Sequence, residues 1–106
     1  MSMHKINIME VIMIKVVAKG VYLEGKTDEA IALYDEMVKE TRNEQGCIAY
    51  NLFRDKDNKD ILTMIEEWES VEALEAHKNS EHFTRIIPKI ARLRKSAELN
   101  VYELIY

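Results

Sequence analysis

Cysteine is almost absent from this chain of 106 residues, Cys47 being the only one. A lone cysteine forms no internal disulfide, and without a CxxC pair there is no zinc or thiol-redox signature; a reducing cytoplasm suits such a chain. Proline occurs once and glycine three times, which excludes collagen-like and low-complexity sequences. No run approaches the ~20 apolar residues of a membrane span. There is no GxGxxG, P-loop, GxSxG or HExxH, so the common fingerprints of nucleotide cofactors, serine hydrolases and zinc peptidases are missing. Basic charge is in deficit, with 15 Lys and Arg against 19 Asp and Glu and a net charge of −4. A general nucleic-acid or anionic-membrane binder needs the opposite balance.

What is present is a composition that folds, 47% apolar and 32% charged, in a length that suits one domain. A chain this short buries a modest fraction of its surface, so the source of its core is a question in itself. Residues 1–11 contain Lys5 and Glu10 among apolar residues and lack a small-residue cleavage site, which makes a poor signal peptide. They are expected to be an N-terminal extension ahead of a domain over 12–106.

Ile12 to Leu23 is rich in Val and Ile and reads as a strand. Thr27 is a candidate N-cap, and Ala30, Leu33, Tyr34, Met37, Val38 and Thr41 recur at helical spacing. Gly46 is placed to reverse the chain. Cys47 to Arg54 and Asp60 to Glu69 are strand-like around the polar cluster Asp55 to Lys59, a hairpin. Ser70 and Ser80 can cap two further helices, broken apart at Asn79-Ser80, with Pro88 expected to kink or interrupt the second. A last strand is expected from Ala97 to Leu104. The order βαββααβ is the ferredoxin-like pattern, a four-stranded antiparallel sheet with helices on one face.

Strand parity extends this reading. Ile14, Val16, Ala18 and Tyr22 oppose Met13, Val17 and Val21, and Ile48, Tyr50 and Leu52 oppose Cys47, Ala49 and Phe53. Both sheet faces are therefore largely apolar, and the face away from the helices is expected to pack against a second copy of the chain.

Six residues are candidates to place polar or aromatic tips in a pocket: Asn51, Glu66, Trp68, His77, His82 and Arg85. Glu66 and Trp68 lie two apart and share one sheet face, although a tryptophan often serves only to fill a core. His77, on the apolar side of its helix, is either a satisfied buried side chain or a general acid/base. His82 opens the next helix, where the dipole favours a neutral, proton-accepting ring. On one continuous helix His77 and His82 would diverge by about 140°; they converge only through the Asn79-Ser80 break, and no metal site is expected. Asn51 is either satisfied at a strand edge or turned to a ligand. The basic run Arg85, Lys89, Arg92, Arg94 and Lys95 reads as a solvated helix face or as an anion patch, and Cys47 reads as a small buried hydrophobe.

The ordered segments Met13-Ile-Lys-Val-Val-Ala-Lys, Glu24-Gly-Lys, Glu44-Gln-Gly-Cys-Ile-Ala-Tyr, Phe53-Arg-Asp, Glu66-Glu-Trp-Glu-Ser, Ala73-Leu-Glu-Ala-His77 and His82-Phe resemble the antibiotic biosynthesis monooxygenase domain, in particular its small bacterial quinol monooxygenase branch, over about residues 13 to 104. The resemblance implies a homodimeric α+β barrel with a pocket between sheet and helices in each subunit. It also implies oxidation of an electron-rich aromatic by O₂ without flavin, haem or metal. Carried over by position, Asn51 and Trp68 would orient substrate or the oxygen intermediate, and His77 or His82 would be the base. Glu66, Tyr50, Phe83 and Arg85 are the candidate substrate-binding residues. Haem-degrading relatives use a histidine further along the last helix, and the position ten beyond His77 is Ile87. A second branch of the same barrel superfamily isomerises a phosphorylated metabolite without O₂. The alternative is therefore an isomerase or binding module for a small phosphorylated or carboxylated ligand.

Overall fold

The computed structural model describes residues 12–106, so the expected extension over 1–11 lies outside the described residues. The elements are β1 (Ile14–Tyr22), α1 (Thr27–Arg42), β2 (Cys47–Arg54), β3 (Ile61–Trp68), α2 (Val71–Lys78), α3 (Glu81–Ala91) and β4 (Arg94–Glu103). The four strands form one antiparallel sheet in the order β2-β3-β1-β4, the ferredoxin-like arrangement the sequence pattern predicts.

Local chemistry explains most boundaries. In α1 the buried residues Thr27, Ala30, Tyr34, Met37 and Thr41 step by three and four, so one stripe meets the sheet. Ser70 and Ser80 cap α2 and α3, their hydroxyls accepting the N–H of Ala73 and of Phe83, which satisfies donors the helix cannot. The β2–β3 hairpin turns on Asp55 Oδ2, which accepts the N–H groups of Asp57 and Asn58.

Four local expectations are corrected. Thr27 is the first helical residue rather than the N-cap; Lys26 holds that position without a side-chain bond, and the Thr27 hydroxyl points to Asp60 at 3.4 Å. Pro88 does not interrupt α3, which runs through it. The bond lost at Pro88 falls on the exposed side, where water can serve the Thr84 carbonyl. β4 starts at Arg94, so the basic run crosses a helix, a turn and a strand and is no single helix face. Finally, a register shift between Cys47 and Ala49 breaks the parity of β2: Cys47 packs against the core and Ile48 is turned out.

The core lies between the sheet and the helices. Ile14, Val16 and Tyr22 of β1, Tyr50 of β2, and Leu62, Met64 and Trp68 of β3 meet Ala30, Tyr34 and Met37 of α1, Leu74 of α2, and Ile86 and Ile90 of α3. β4 is different: Leu99 and Val101 pair with Ala18 and Val16 on the helix side, yet are 63% and 50% exposed. The helical layer does not reach over this strand. On the opposite face, Met13, Val17, Val21, Ala49, Ile61 and Ile65 are only partly covered and are interleaved with the ion pair of Lys15 and Glu67.

Candidate active site

One cross-strand row sets the floor of the site. Tyr50, Glu66, Val16 and Val101 are successive partners across β2, β3, β1 and β4, and partners in an antiparallel ladder share a face. Over this row, α2 and α3 leave a cleft of about 120 Å³ lined by Val16, Glu66, Leu99 and Val101 from the sheet, Leu74, His77 and Lys78 from α2, and Phe83 from α3. The lining is apolar apart from Glu66, His77 and Lys78, and Lys78 is paired with Glu75 at 2.8 Å. A larger groove of about 330 Å³ on the other sheet face, between Met13, Lys15, Glu67, Tyr102 and Leu104, offers as charged groups, among the described residues, only Lys15, Glu67 and Glu103. The cleft holds the better chemistry because it brings an imidazole and a buried carboxyl together.

His77 is held from every side. Its ring is 4.7 Å from that of Trp68, 5.3 Å from Tyr50 and 5.0 Å from Phe83, the last two edge-on. Its Nδ1 lies 2.8 Å from Glu44 Oε2. A carboxylate oxygen accepts, so Nδ1 carries the hydrogen and a neutral ring keeps its lone pair on Nε2. Among the described residues Nε2 has no hydrogen-bond partner. Burial pushes the His77 pKa down, and the neighbouring Glu44 opposes that only in part. The result is a neutral, oriented imidazole beside an apolar cleft.

Glu66 is 5% exposed. Its Oε1 accepts the indole N–H of Trp68 at 3.0 Å, and its other oxygen has no partner among the described residues. Burial raises its carboxyl to about 7, with the indole bond opposing and Glu44 adding to the rise. Near neutrality Glu66 therefore exchanges between a hydrogen-bond donor and an acceptor. Burial also raises the phenol of Tyr50 and pushes the Cys47 thiol up to about 11, which makes Cys47 an inert filler.

The remaining candidates separate. His82 does not line the cleft; its Nε2 meets the same Glu44 oxygen at 2.6 Å and lies 3.3 Å from Ser80 Oγ. The Asn79-Ser80 break does bring the two histidines together, their rings 6.1 Å apart. Asn51 is away from the cleft, on the opposite parity to Tyr50, where its side chain accepts from Arg42 at 2.9 Å. Arg85 is also away from it, gripped by Glu36 of α1 and by Glu81 at 2.6 Å. Sequence reading missed Glu44 as the carboxylate that joins the two histidines. It sits in the α1–β2 loop, 33 residues before His77, where Gly46 at φ +85° turns the chain. A Cβ on Gly46 would meet that of Ala73 at 2.5 Å, so this tight approach is what brings the loop against α2. The available signal was a carboxylate two residues before a reversing glycine.

Relatives carry the same architecture. A crystal structure of a conserved protein from Methanosarcina mazei is 35% identical, covers 91% of this chain and 96% of its own, and superposes with a TM-score of 0.84. A protein from Synechocystis, sll1783, is 30% identical over 80 residues and 74% of this chain; the match spans only 54% of that relative. The Bacillus subtilis protein named "Putative monooxygenase YcnE" is 29% identical over 76 residues, 72% of this chain and 79% of its own. The family model for antibiotic biosynthesis monooxygenase matches residues 13–89, a span that takes in Glu44, Glu66, Trp68, His77 and His82, and with the fold already in place it follows that the chain belongs to the antibiotic biosynthesis monooxygenase family.

Proposed function

We propose that the protein is a cofactor-independent monooxygenase that oxidises a small, electron-rich quinol-type aromatic with O₂, working as a homodimer in the cytoplasm. The observation that carries this reading is the pairing of His77 with Glu44 beside a cleft that also holds Glu66. His77 Nε2 takes a phenolic proton, and the fixed Nδ1–H···Glu44 bond stabilises the imidazolium that forms. The quinol anion then passes an electron to O₂, and the radical pair closes to a hydroperoxide at a ring carbon. Loss of water leaves a carbonyl there. The balance for the simplest case is one hydroquinone and one O₂ giving one hydroxyquinone and one water, all electrons coming from the substrate. Glu66 in its protonated form donates to the developing oxyanion, and Trp68 fixes Glu66 while walling the site from water.

Homodimerisation rests on surface that the described residues leave bare. Leu99 and Val101 line the open side of the cleft, and Phe53 and Tyr102 stand about half exposed on the opposite sheet face. A second copy covering this surface supplies the core that a short chain lacks.

The isomerase or anion-binding alternative draws no support from the geometry. Arg85 is committed to two carboxylates and Lys78 to Glu75, leaving, among the described residues, no cation turned freely into the cleft. An oxygen electrode with a panel of one-ring hydroquinones tests the proposal. Wild-type protein is expected to consume O₂. His77→Ala and His77→Gln, checked for native circular dichroism, should be about 10²- to 10⁴-fold slower, and His82→Ala, which acts only through Glu44, should lose less. Equal rates in the wild type and both His77 variants would remove the base from the scheme.

A further inference from the structure

We propose that Glu44, His77 and His82 also form a site for a borderline-soft divalent ion, Zn²⁺ foremost, and that the ion acts there as an inhibitor, not as a resident cofactor. The binding part stands by itself; the inhibitory part rests on the monooxygenase reading above.

The donor set is the first ground. Two imidazoles and a carboxylate suit zinc and its first-row neighbours, whereas magnesium and calcium seek oxygen alone. The second ground is convergence. One ligand atom from each of Glu44, His77 and His82 lies within 4.8 Å of the other two, and Glu44 Oε2 is 2.8 Å from His77 Nδ1 and 2.6 Å from His82 Nε2. A tetrahedral ion with bonds of about 2.0–2.1 Å sets neighbouring donors roughly 3.3 Å apart. The two oxygen–nitrogen edges therefore open slightly, a movement within reach of side-chain rotation.

The frame around these donors is built. Glu44 is fixed by backbone bonds from its N–H to Thr41 and from Cys47 to its carbonyl. His77 lies in the last turn of α2 and His82 in the first turn of α3, and between them Ser80 Oγ both donates to the His77 carbonyl at 2.7 Å and accepts from Phe83. Donors on supported helix ends hold their geometry. Access exists on the side away from the substrate cleft: the side chains of Glu44 and His82 are 16% and 12% exposed, against 2% for His77. Water completes the fourth position.

Inhibition follows from the tautomer. The catalytic form keeps hydrogen on Nδ1 of His77 and the lone pair on Nε2. An ion bound at Nδ1 takes the lone pair there, and the ring's single hydrogen moves to Nε2. His82 exchanges its hydrogen from Nε2 to Nδ1 in the same way. No net proton is needed, but the base that faces the cleft becomes a donor.

The test begins with purified full-length protein stripped by chelator and titrated with Zn²⁺ by calorimetry and with Co²⁺ as a visible probe. One ion per chain is expected, with the d–d bands of a four-coordinate cobalt site. Glu44→Gln and His82→Ala should each lower affinity by more than the roughly 10- to 100-fold that loss of an outer-shell partner causes, while His82→Cys, which restores a zinc ligand, should recover it. Mg²⁺ at equal concentration should give no signal. Quinol-dependent O₂ uptake by the wild type should fall as the site fills and return on adding chelator. Absence of binding, or binding untouched by all these substitutions, overturns the site. Binding without inhibition overturns its inhibitory role. Failure of the metal-free protein to oxidise any quinol overturns the reaction, and with it the inhibitory role, while calorimetry still decides the site.

Discussion

Val16 and Val101 are partners in one sheet row, of the same residue type and on the same face, yet Val16 is 2% exposed and Val101 50%. The difference is not in the residues but in what lies above them. Helices α1 to α3 roof β2, β3 and β1, and stop short of β4. The candidate site sits on that boundary, with His77, Trp68 and Tyr50 under the roof and Leu99 and Val101 beyond its edge. Packing thus locks the imidazole while leaving a way in for a ligand.

The comparison can be broken most severely on the roofed side. Trp68 is fully buried, packs on His77 and holds Glu66. Trp68→Ala should destabilise the protein by about 3–5 kcal/mol and abolish O₂ uptake, as read by urea unfolding and an oxygen electrode.

Glu66 gives the next effect, through pH. Its carboxyl titrates at about 7 in the fold against a reference of 4.5. Between those values the native state binds a proton the unfolded chain has released, so this group's contribution falls as pH rises and is level above about 7. The span amounts to about 3 kcal/mol. Neutral, buried His77 acts in the opposite sense, lowering stability as pH falls below its unfolded value. Glu66→Gln keeps an acceptor for Trp68 and should remove the alkaline loss. Chemical denaturation of wild type and variant at pH 5 and pH 8 checks this; an unchanged pH slope in Glu66→Gln would show that Glu66 is not the group responsible.

The smallest change in the single chain is expected beyond the roof. Leu99→Ala should alter monomer stability within about 0.5 kcal/mol, as at other exposed positions. If a second copy covers β4, the same substitution should weaken self-association measured by sedimentation. A wild-type protein sedimenting only as a ~12 kDa monomer at micromolar concentration would contradict the homodimer.

Legibility followed the range of the interactions. Helices, hairpin and the two serine caps were readable because their signals are local: the three-four spacing of α1, the polar turn after Arg54, and the serines before α2 and α3. That Glu66 and Trp68 share one sheet face and that His77 sits on the apolar side of its helix was readable from strand parity and helical spacing. Glu44 was not, since its partners are 33 and 38 residues away and nothing in a polar loop marks which carboxylate returns to the core. Arg85 was misplaced toward substrate because a run of positive charge says nothing of Glu36, which α1 brings to it across 49 residues. Asn51, read on its own as edge-satisfied or ligand-facing and carried over by the resemblance as catalytic, is met at the sheet edge by Arg42, away from the cleft. The parity of β2 failed at its bulge, where backbone register overrides the alternation of residue types.

The central claim is that Glu44 fixes His77 with its hydrogen on Nδ1 and its lone pair on Nε2 beside the cleft. Long-range ¹H–¹⁵N correlation of the imidazole in metal-free protein near neutral pH reads this directly. The account predicts a neutral Nδ1–H ring for His77 in the wild type and a loss of that fixed tautomer in Glu44→Ala. A wild-type spectrum showing His77 protonated on Nε2 alone, or on both nitrogens, would contradict it.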